Sequence, residues 1–299
     1  MSARVIVTAP AKVNLYLHVT GRRPDGYHLL DSLVVFAGLA DRVTLEAADD
    51  FSLSLAGPFA AGLDAGEGNL ALRAARALVA ECGGAVGPAA LSIEKNIPLA
   101  AGLGGGSADA AAVMAGLAAL SGTGMDAARR IAPGLGADVP ACLRGRSGFV
   151  AGIGEEMGPE IPIPGCGLLL VNPGVSLDTR AVFDAFDAAD EGHPPRDSGP
   201  RPPLPSAGLS AEALAGALAG TANDLTAAAV GLRPEIGAVV DAVEELEGCR
   251  FARMTGSGAT CFGLFDNPES AAARAETLAA GEPHWWCWGG GFAPGMTIL

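Results

Sequence analysis

The segment that most limits how this chain can fold is IPLAAGLGGGSADAA, residues 97–111. Gly102, Gly104, Gly105 and Gly106 strip the Cβ atoms from a short stretch of backbone, so amide N–H groups there can approach an anion closely. The run SADAAAVMAGLAAL that follows, residues 107–120, is a strong helix former. A glycine turn feeding a helix offers unpaired N–H groups and the positive end of the helix dipole, which together attract anions. Ser107 stands where an N-cap belongs, to cap the helix, to face a phosphate, or both. A flexible turn without a ligand is the alternative, and the direct run into a strong helix disfavours it. The pattern GxxxxGK[ST] does not occur and no lysine follows the glycines, so this is not a Walker loop.

An anion would have to be held locally, because the formal net charge is −14, from 33 acidic and 19 basic side chains. No Lys/Arg run provides a nucleic-acid stripe, and the acidity disfavours anionic lipid. A small-molecule substrate, with neither nucleic acid nor membrane as partner, is therefore expected. The six cysteines (Cys82, Cys142, Cys166, Cys249, Cys261 and Cys287) form no CxxC pair, which argues against zinc and a disulfide framework and for reduced thiols in the cytoplasm. Residues 1–12, MSARVIVTAPAK, carry no apolar signal-peptide core. The most apolar stretch, 98–120, holds five glycines and Asp109, which does not suit a membrane span.

Length allows one large or two ordinary domains. Strands are expected at 4–7, 11–19, 29–37, 41–47, 51–56 and 89–95, with helices at 69–82, 107–120 and 125–131 and a strand at 147–153. In the second strand Lys12, Asn14, Tyr16 and His18 alternate with Val13, Leu15, Leu17 and Val19, so the polar set is expected on one face. This is an α+β half with a largely antiparallel sheet. The pattern restarts with a strand at 166–172 and a helix at 178–187, then a proline-rich loop over 188–208. Helices at 210–219, 234–246 and 268–280 and strands at 250–254, 260–265 and 284–288 complete a second α/β unit, giving domains 1–160 and 161–299. Trp285, Trp286 and Trp288 are expected in the core.

Four further segments can carry chemistry, and each has a plainer reading. Lys12, in APAKVNLYL, is either an edge-strand lysine or a cation near a transferring phosphate, with Asn14 beside it on the same face. Asp138, in GADVPACL, is either a helix N-cap ahead of proline or a carboxylate that takes a proton from an alcohol. Tyr27 and His28, in RRPDGYHLLDS, are either a packing tyrosine and a loop histidine or a stacking platform and a base-edge hydrogen bonder. The turn in MTGSGATCFGLF, 254–265, is unremarkable for a hairpin on its own.

Taken in order, APAKVNLYL, PLAAGLGGGSADAA and MTGSGATCFG resemble the three motifs of the GHMP kinase superfamily, spread over nearly the whole chain. The resemblance implies a two-domain architecture, with an N-terminal ribosomal-protein-S5-like domain and a C-terminal ferredoxin-like α/β sandwich. Within the superfamily, APAKVNLYLHVTGRRPDGYHLLDSLV, GLGGGSADAA, GADVPACL and NPGVSLDTRAVF are similar to the branch acting in the non-mevalonate route to isoprenoid precursors. That branch uses ATP to phosphorylate the 2-hydroxyl of a methylerythritol linked to cytidine diphosphate. The likeness implies Lys12 and Asp138 as the catalytic pair. It places Asn14 and Thr179 at the substrate, Tyr27 and Phe183 around the cytosine, and His28 on its polar edge. It also implies that Gly102, Leu103, Gly104, Gly105, Gly106 and Ser107 hold the ATP phosphates, that Asn69 and Lys95 lie near the nucleotide, and that Mg²⁺ accompanies ATP. The chain departs from many relatives in reading SAD after the glycines, which leaves Ala108 without a hydroxyl. The segment 188–208 and the tail GGGFAPGMTIL look idiosyncratic and remote from the chemistry, and no acidic residue stands out as a metal ligand.

Overall fold

The computed structural model describes residues 3–162, 164–189, 201–204 and 209–299. Its spine is a pair of long antiparallel strands, β1 (Arg4–Arg22) and β2 (His28–Ala47). A turn at Pro24-Asp25-Gly26 joins them; Gly26 has φ 93°, and its N–H donates to the Arg23 carbonyl at 2.9 Å. The expected breaks near residues 8–10 and 38–40 are absent. Pro10 stays within β1 because a register shift between Pro10 and Lys12 absorbs its missing N–H. Gly38 lets β2 run on beneath the Trp288 ring, which lies 3.7 Å from where a Cβ would be.

After β2 come β3 (Ser52–Ala56), α1 (Leu70–Glu81), β4 (Ala89–Glu94), α2 (Gly105–Ser121), α3 (Asp126–Leu135), α4 (Val139–Arg144), β5 (Gly148–Gly152) and β6 (Glu156–Glu160). The rest comprises β7 (Gly167–Asn172), α5 (Thr179–Ala189), α6 (Ala211–Leu218), α7 (Thr226–Leu232), α8 (Glu235–Glu244), β8 (Phe251–Met254), β9 (Cys261–Phe265), α9 (Pro268–Gly281), β10 (Trp286–Ala293) and β11 (Thr297–Ile298). The short elements β6, α7 and β11 carry too little periodicity to be expected from sequence. Most of segment 188–208 lies outside the described residues; α5 ends at Ala189, and residues 201–204 are irregular. No helix among the described residues is long and apolar enough to cross a membrane.

The strands form one sheet in the order β11-β1-β2-β10-β7-β9-β8, with β4 and β5 also pairing along β2. Named strand pairs are antiparallel except β3 with β4. The α+β expectation of a largely antiparallel sheet therefore holds. Three cores result: one where α1 to α4 cover β1, β2 and β4, a second between β1, β2, β7, β9 and α6, and a third where α5, α7, α8 and α9 pack on β7 and β9. Helix α2 is buried from Ala108 through Ala118, which its alanines permit. A Cβ on Gly116 would collide with Leu45.

The tail proves structural. β10 pairs with β7 along Trp286–Gly291 and with β2 at Phe292 and Ala293, so it stitches the two halves together. Its glycines pass directly beneath α9, where a Cβ on Gly289 would strike the Ala271 carbonyl. Trp286 and Trp288 pack on the second core and Trp285 on the third, in partial rather than full burial.

Candidate active site

Lys12 and Asp138, 126 residues apart, meet: Lys12 Nζ donates to Asp138 Oδ1 at 2.7 Å. The lysine side chain is nearly buried, whereas that of Asp138 is 43 % exposed toward the cleft. Asp138 does occupy the N-cap position of α4, but its side chain makes no capping bond, which leaves the carboxylate to the lysine. Lys12 Nζ also donates to Asn14 Oδ1 at 2.9 Å. The Asn14 amide is in turn fixed, its Nδ2 donating to Ser32 Oγ at 2.7 Å and its backbone N–H to Thr255 Oγ1 at 2.7 Å.

The one-face expectation for β1 holds only for Lys12 and Asn14. A register shift between Asn14 and Tyr16 resets the alternation, so Tyr16 joins Val13 and Leu15 in the second core. There its hydroxyl donates to Asp31 Oδ2 at 2.7 Å, and burial, then that carboxylate, raises the phenol pKa. Arg201 pairs with the same Asp31 at 2.8 Å and lies over the Phe149 ring.

Directly across from this pair runs the glycine loop. Gly102 and Gly104 adopt φ 74° and 65°, conformations that other residues resist. A Cβ on Gly104 would sit 3.4 Å from Lys12 Cβ and 3.7 Å from Asp138 Oδ2; on Gly102 it would collide with the Gly258 carbonyl. The expected N-cap role of Ser107 is corrected: the cap is Gly104, and Ser107 lies inside the first turn of α2. The helix starts early because Gly104 can take the left-handed conformation needed there. No side chain caps α2, and the first helical bond is Ala108 N–H to Gly104 O at 2.9 Å. The amides of Gly105, Gly106 and Ser107 thus lack intrahelical acceptors, and Gly106 opens to free space. The late glycine turn buttresses this loop: Thr260 N–H donates to Ala101 O at 3.3 Å.

Lys95 lies behind the loop and is almost fully buried. It donates to Asp109 Oδ2 at 2.5 Å and to Asp41. Burial opposes its charge, but the two carboxylates outweigh burial and raise its pKa. Asp41 also accepts the backbone N–H groups of Asn96 at 2.5 Å and Ile97 at 2.9 Å. Asp109 is less well served, with Oδ1 buried and unpartnered among the described residues. Burial above all pushes its pKa up to about 7. Asn69 caps α1, Oδ1 accepting from Ala71 N–H at 2.9 Å. Cys142, on α4, is no nucleophile: burial, then Asp138, raises its thiol pKa well above the usual value.

Lys12, Asn14, Asn69, Lys95, residues 102–107, Asp138, Thr179 and Phe183 line one cleft of about 680 Å³. Thr179 Oγ1 is 2.8 Å from Ser257 Oγ. At the Phe183 end the His28 ring stacks on Phe183, with centroids 4.5 Å apart and planes at 21°. His28 Nε2 lies 2.7 Å from Asp187 Oδ1. Neither His28 nor Tyr27 is among the residues that line the cleft itself, and Tyr27 is 57 % exposed. Sequence reasoning missed Ser32, Asp41, Asp187 and Thr255. Only Asp41, an acid between two apolar strand segments, gave a signal.

Family models describe the same layout: the GHMP kinases N terminal domain matches residues 69–146, and the GHMP kinases C terminal domain matches residues 209–283. A 4-diphosphocytidyl-2-C-methyl-D-erythritol kinase from Cereibacter sphaeroides is 50 % identical over 280 residues, covering 93 % of this chain and 95 % of its own. The chain belongs to the 4-diphosphocytidyl-2-C-methyl-D-erythritol kinase family. A solved 4-(cytidine 5'-diphospho)-2C-methyl-D-erythritol kinase superposes with a TM-score of 0.76 at 36 % identity, covering 97 % of this chain and all of that one. A homoserine kinase from Cytophaga hutchinsonii shares the fold, with a TM-score of 0.69 at 18 % identity over all of this chain and 98 % of its own. For this member of the kinase family, the two-domain GHMP architecture foreseen from the three motifs is therefore established.

Proposed function

We propose that this kinase transfers the γ-phosphoryl group of ATP to the 2-hydroxyl of 4-diphosphocytidyl-2-C-methyl-D-erythritol, as its family membership indicates. The observation that carries the site assignment is the Lys12–Asp138 pair lying against Gly104 of the anion-ready loop. Phosphoryl transfer depends on alignment and charge stabilisation more than on covalent help from the protein. Asp138 accepts the proton of the attacking hydroxyl. Lys12, held by Asn14 and Asp138, lowers the pKa of that hydroxyl and faces the charge on the moving phosphoryl group. The amides of Gly105, Gly106 and Ser107 hold the phosphates, with Gly102, Leu103 and Gly104 shaping the turn and Asn69 and Lys95 close to the nucleotide.

The cytidine diphosphate end fits the Phe183 side of the cleft, where Tyr27 is free to close over a base, Phe183 offers a ring and His28 an edge. Asn14 and Thr179 face the substrate between these ends. Among the described residues no group of three or more His, Cys, Asp or Glu side chains could hold a metal ion. Mg²⁺ would arrive on the ATP phosphates and keep several of its waters. When bound, the ion shields the phosphate charge. The same proposal takes 1–160 and 161–299 as the two domains and the cytoplasm as the place of action.

ADP release in the presence of the cytidine-linked alcohol, homoserine or mevalonate tests the reading. Turnover with the first alone is expected, and equal turnover with homoserine would overturn the substrate assignment. Asp138→Ala should lower kcat by about 10²- to 10⁴-fold with ATP binding retained. Near-normal turnover would remove Asp138 from the role of base.

A further inference from the structure

Beyond the closeness of Lys95 to the nucleotide, the buried cluster behind the glycine loop has no assigned part in the reaction. It draws Asp41 from β2, Lys95 from the end of β4 and Asp109 from the second turn of α2. Lys95 Nζ lies 3.6 Å from where a Gly105 side chain would begin, so its ammonium sits immediately beneath the amides at the start of α2. Those same amides form the candidate phosphate site, and the inference rests on that reading.

We propose that Asp109 is a positioning residue for ATP, and that its proton sets the net charge of the Asp41–Lys95–Asp109 cluster beneath the phosphate loop. With Asp109 protonated, the Lys95 cation balances the Asp41 anion, and the cluster is neutral. With Asp109 ionised, the cluster carries one net negative charge under the site where the phosphates belong, and ATP is held more weakly.

The surroundings favour this division. Asp41 is fully served, by Lys95 and two backbone N–H groups. Asp109 has one served oxygen and one buried, unpartnered oxygen. Burial favours the neutral acid, Lys95 opposes it, and the second carboxylate, Asp41, which faces it, adds to the effect of burial. The other titratable groups on this side are Cys142 on α4, which stays a neutral thiol, and the mutually paired Lys12 and Asp138 across the loop. Helix α1 turns alanine, leucine and Val79 inward, none of them titratable. Burial holds the Asp109 pKa near about 7, so the change in charge falls in the neutral range.

The test compares KM for MgATP and kcat between wild type and Asp109→Asn from about pH 5.5 to 9, at saturating alcohol. Wild-type KM should rise about three- to tenfold across this range, with kcat moving less. Asp109→Asn should hold KM near the acidic wild-type value throughout. Parallel KM profiles, a flat wild-type profile, or a variant defect confined to kcat would each overturn the inference. Should Asp109→Asn fail to fold, calorimetry of MgATP binding to wild type in buffers of different ionisation enthalpy decides. Net proton uptake near neutral pH supports the proposal, and none, or net release, refutes it. An inactive wild type would instead defeat the kinase reading, whereas an active one with coincident profiles defeats this inference alone.

Discussion

The two ends of the Asn14 amide are alike in shape, and Ser32 decides which one meets Lys12. By accepting from Nδ2 at 2.7 Å it leaves Oδ1 to accept from the lysine at 2.9 Å. Ser32 itself donates to the Tyr16 carbonyl at 2.5 Å, so it cannot turn away. Ser32→Ala should therefore lower kcat about three- to tenfold, the worth of one hydrogen bond, with KM for ATP unchanged; Ser32→Thr should restore most of it. Steady-state kinetics of the two variants decides this. Asp109 supplies a prediction about stability. Its folded pKa, about 7, lies above its unfolded value, so its contribution is fully present in acid and fades as pH rises from about 4 through about 7. Denaturant melts across that window should show wild-type stability falling relative to Asp109→Asn. At this scale the pairing of Lys12 with Asp138 came from the family resemblance, because on local pattern alone the one reads equally as an edge-strand lysine and the other as a helix N-cap. Ser32 stayed hidden because its role depends on which strand lies beside which.

Among the elements, β10 shows best how local patterns mislead. Three consecutive glycines look like a loop, yet Gly289, Gly290 and Gly291 continue a strand that pairs with Leu169, Leu168 and Gly167. Gly289 and Gly291 are small because α9 rests on the strand there, and Gly290 because the Trp288 ring fills the space of a side chain. Gly289→Ala forces the helix to lift from Ala271 and should cost about 1–3 kcal/mol. Thermal unfolding of that variant, read as a lower Tm at unchanged substrate KM, checks the claim. β1 misleads in the opposite way: its alternation is regular, but the shift after Asn14 turns Tyr16 into the core. Helix α2 was almost fully legible, since alanine, glycine and the preceding turn all point to one structure. It starts two residues earlier than expected, which left-handed Gly104 permits, and ends one residue later.

At the scale of the molecule, the order and type of the longer elements were readable, while their pairing was not, because sheet partners are set by long-range packing. β2 shows the reason. Along one edge it meets β5, β10 and β4 in succession, with β1 along the other. Both halves share this strand, so the molecule should unfold as one unit. Trp285, Trp286 and Trp288 sit at the seam, and their fluorescence should follow the same denaturant transition as far-UV circular dichroism. Two separated midpoints would show that the halves melt independently.

The seam also constrains how the molecule is made. Residues 286–298 supply partners for β1 and β2, which leave the ribosome long before them. Until β10 and β11 emerge, the nascent chain must carry an unfinished sheet with open hydrogen-bonding positions along both earlier strands. Such non-local pairing slows folding and leaves aggregation-prone edges waiting, so the growing polypeptide has reason to need chaperone cover through the synthesis of everything between them.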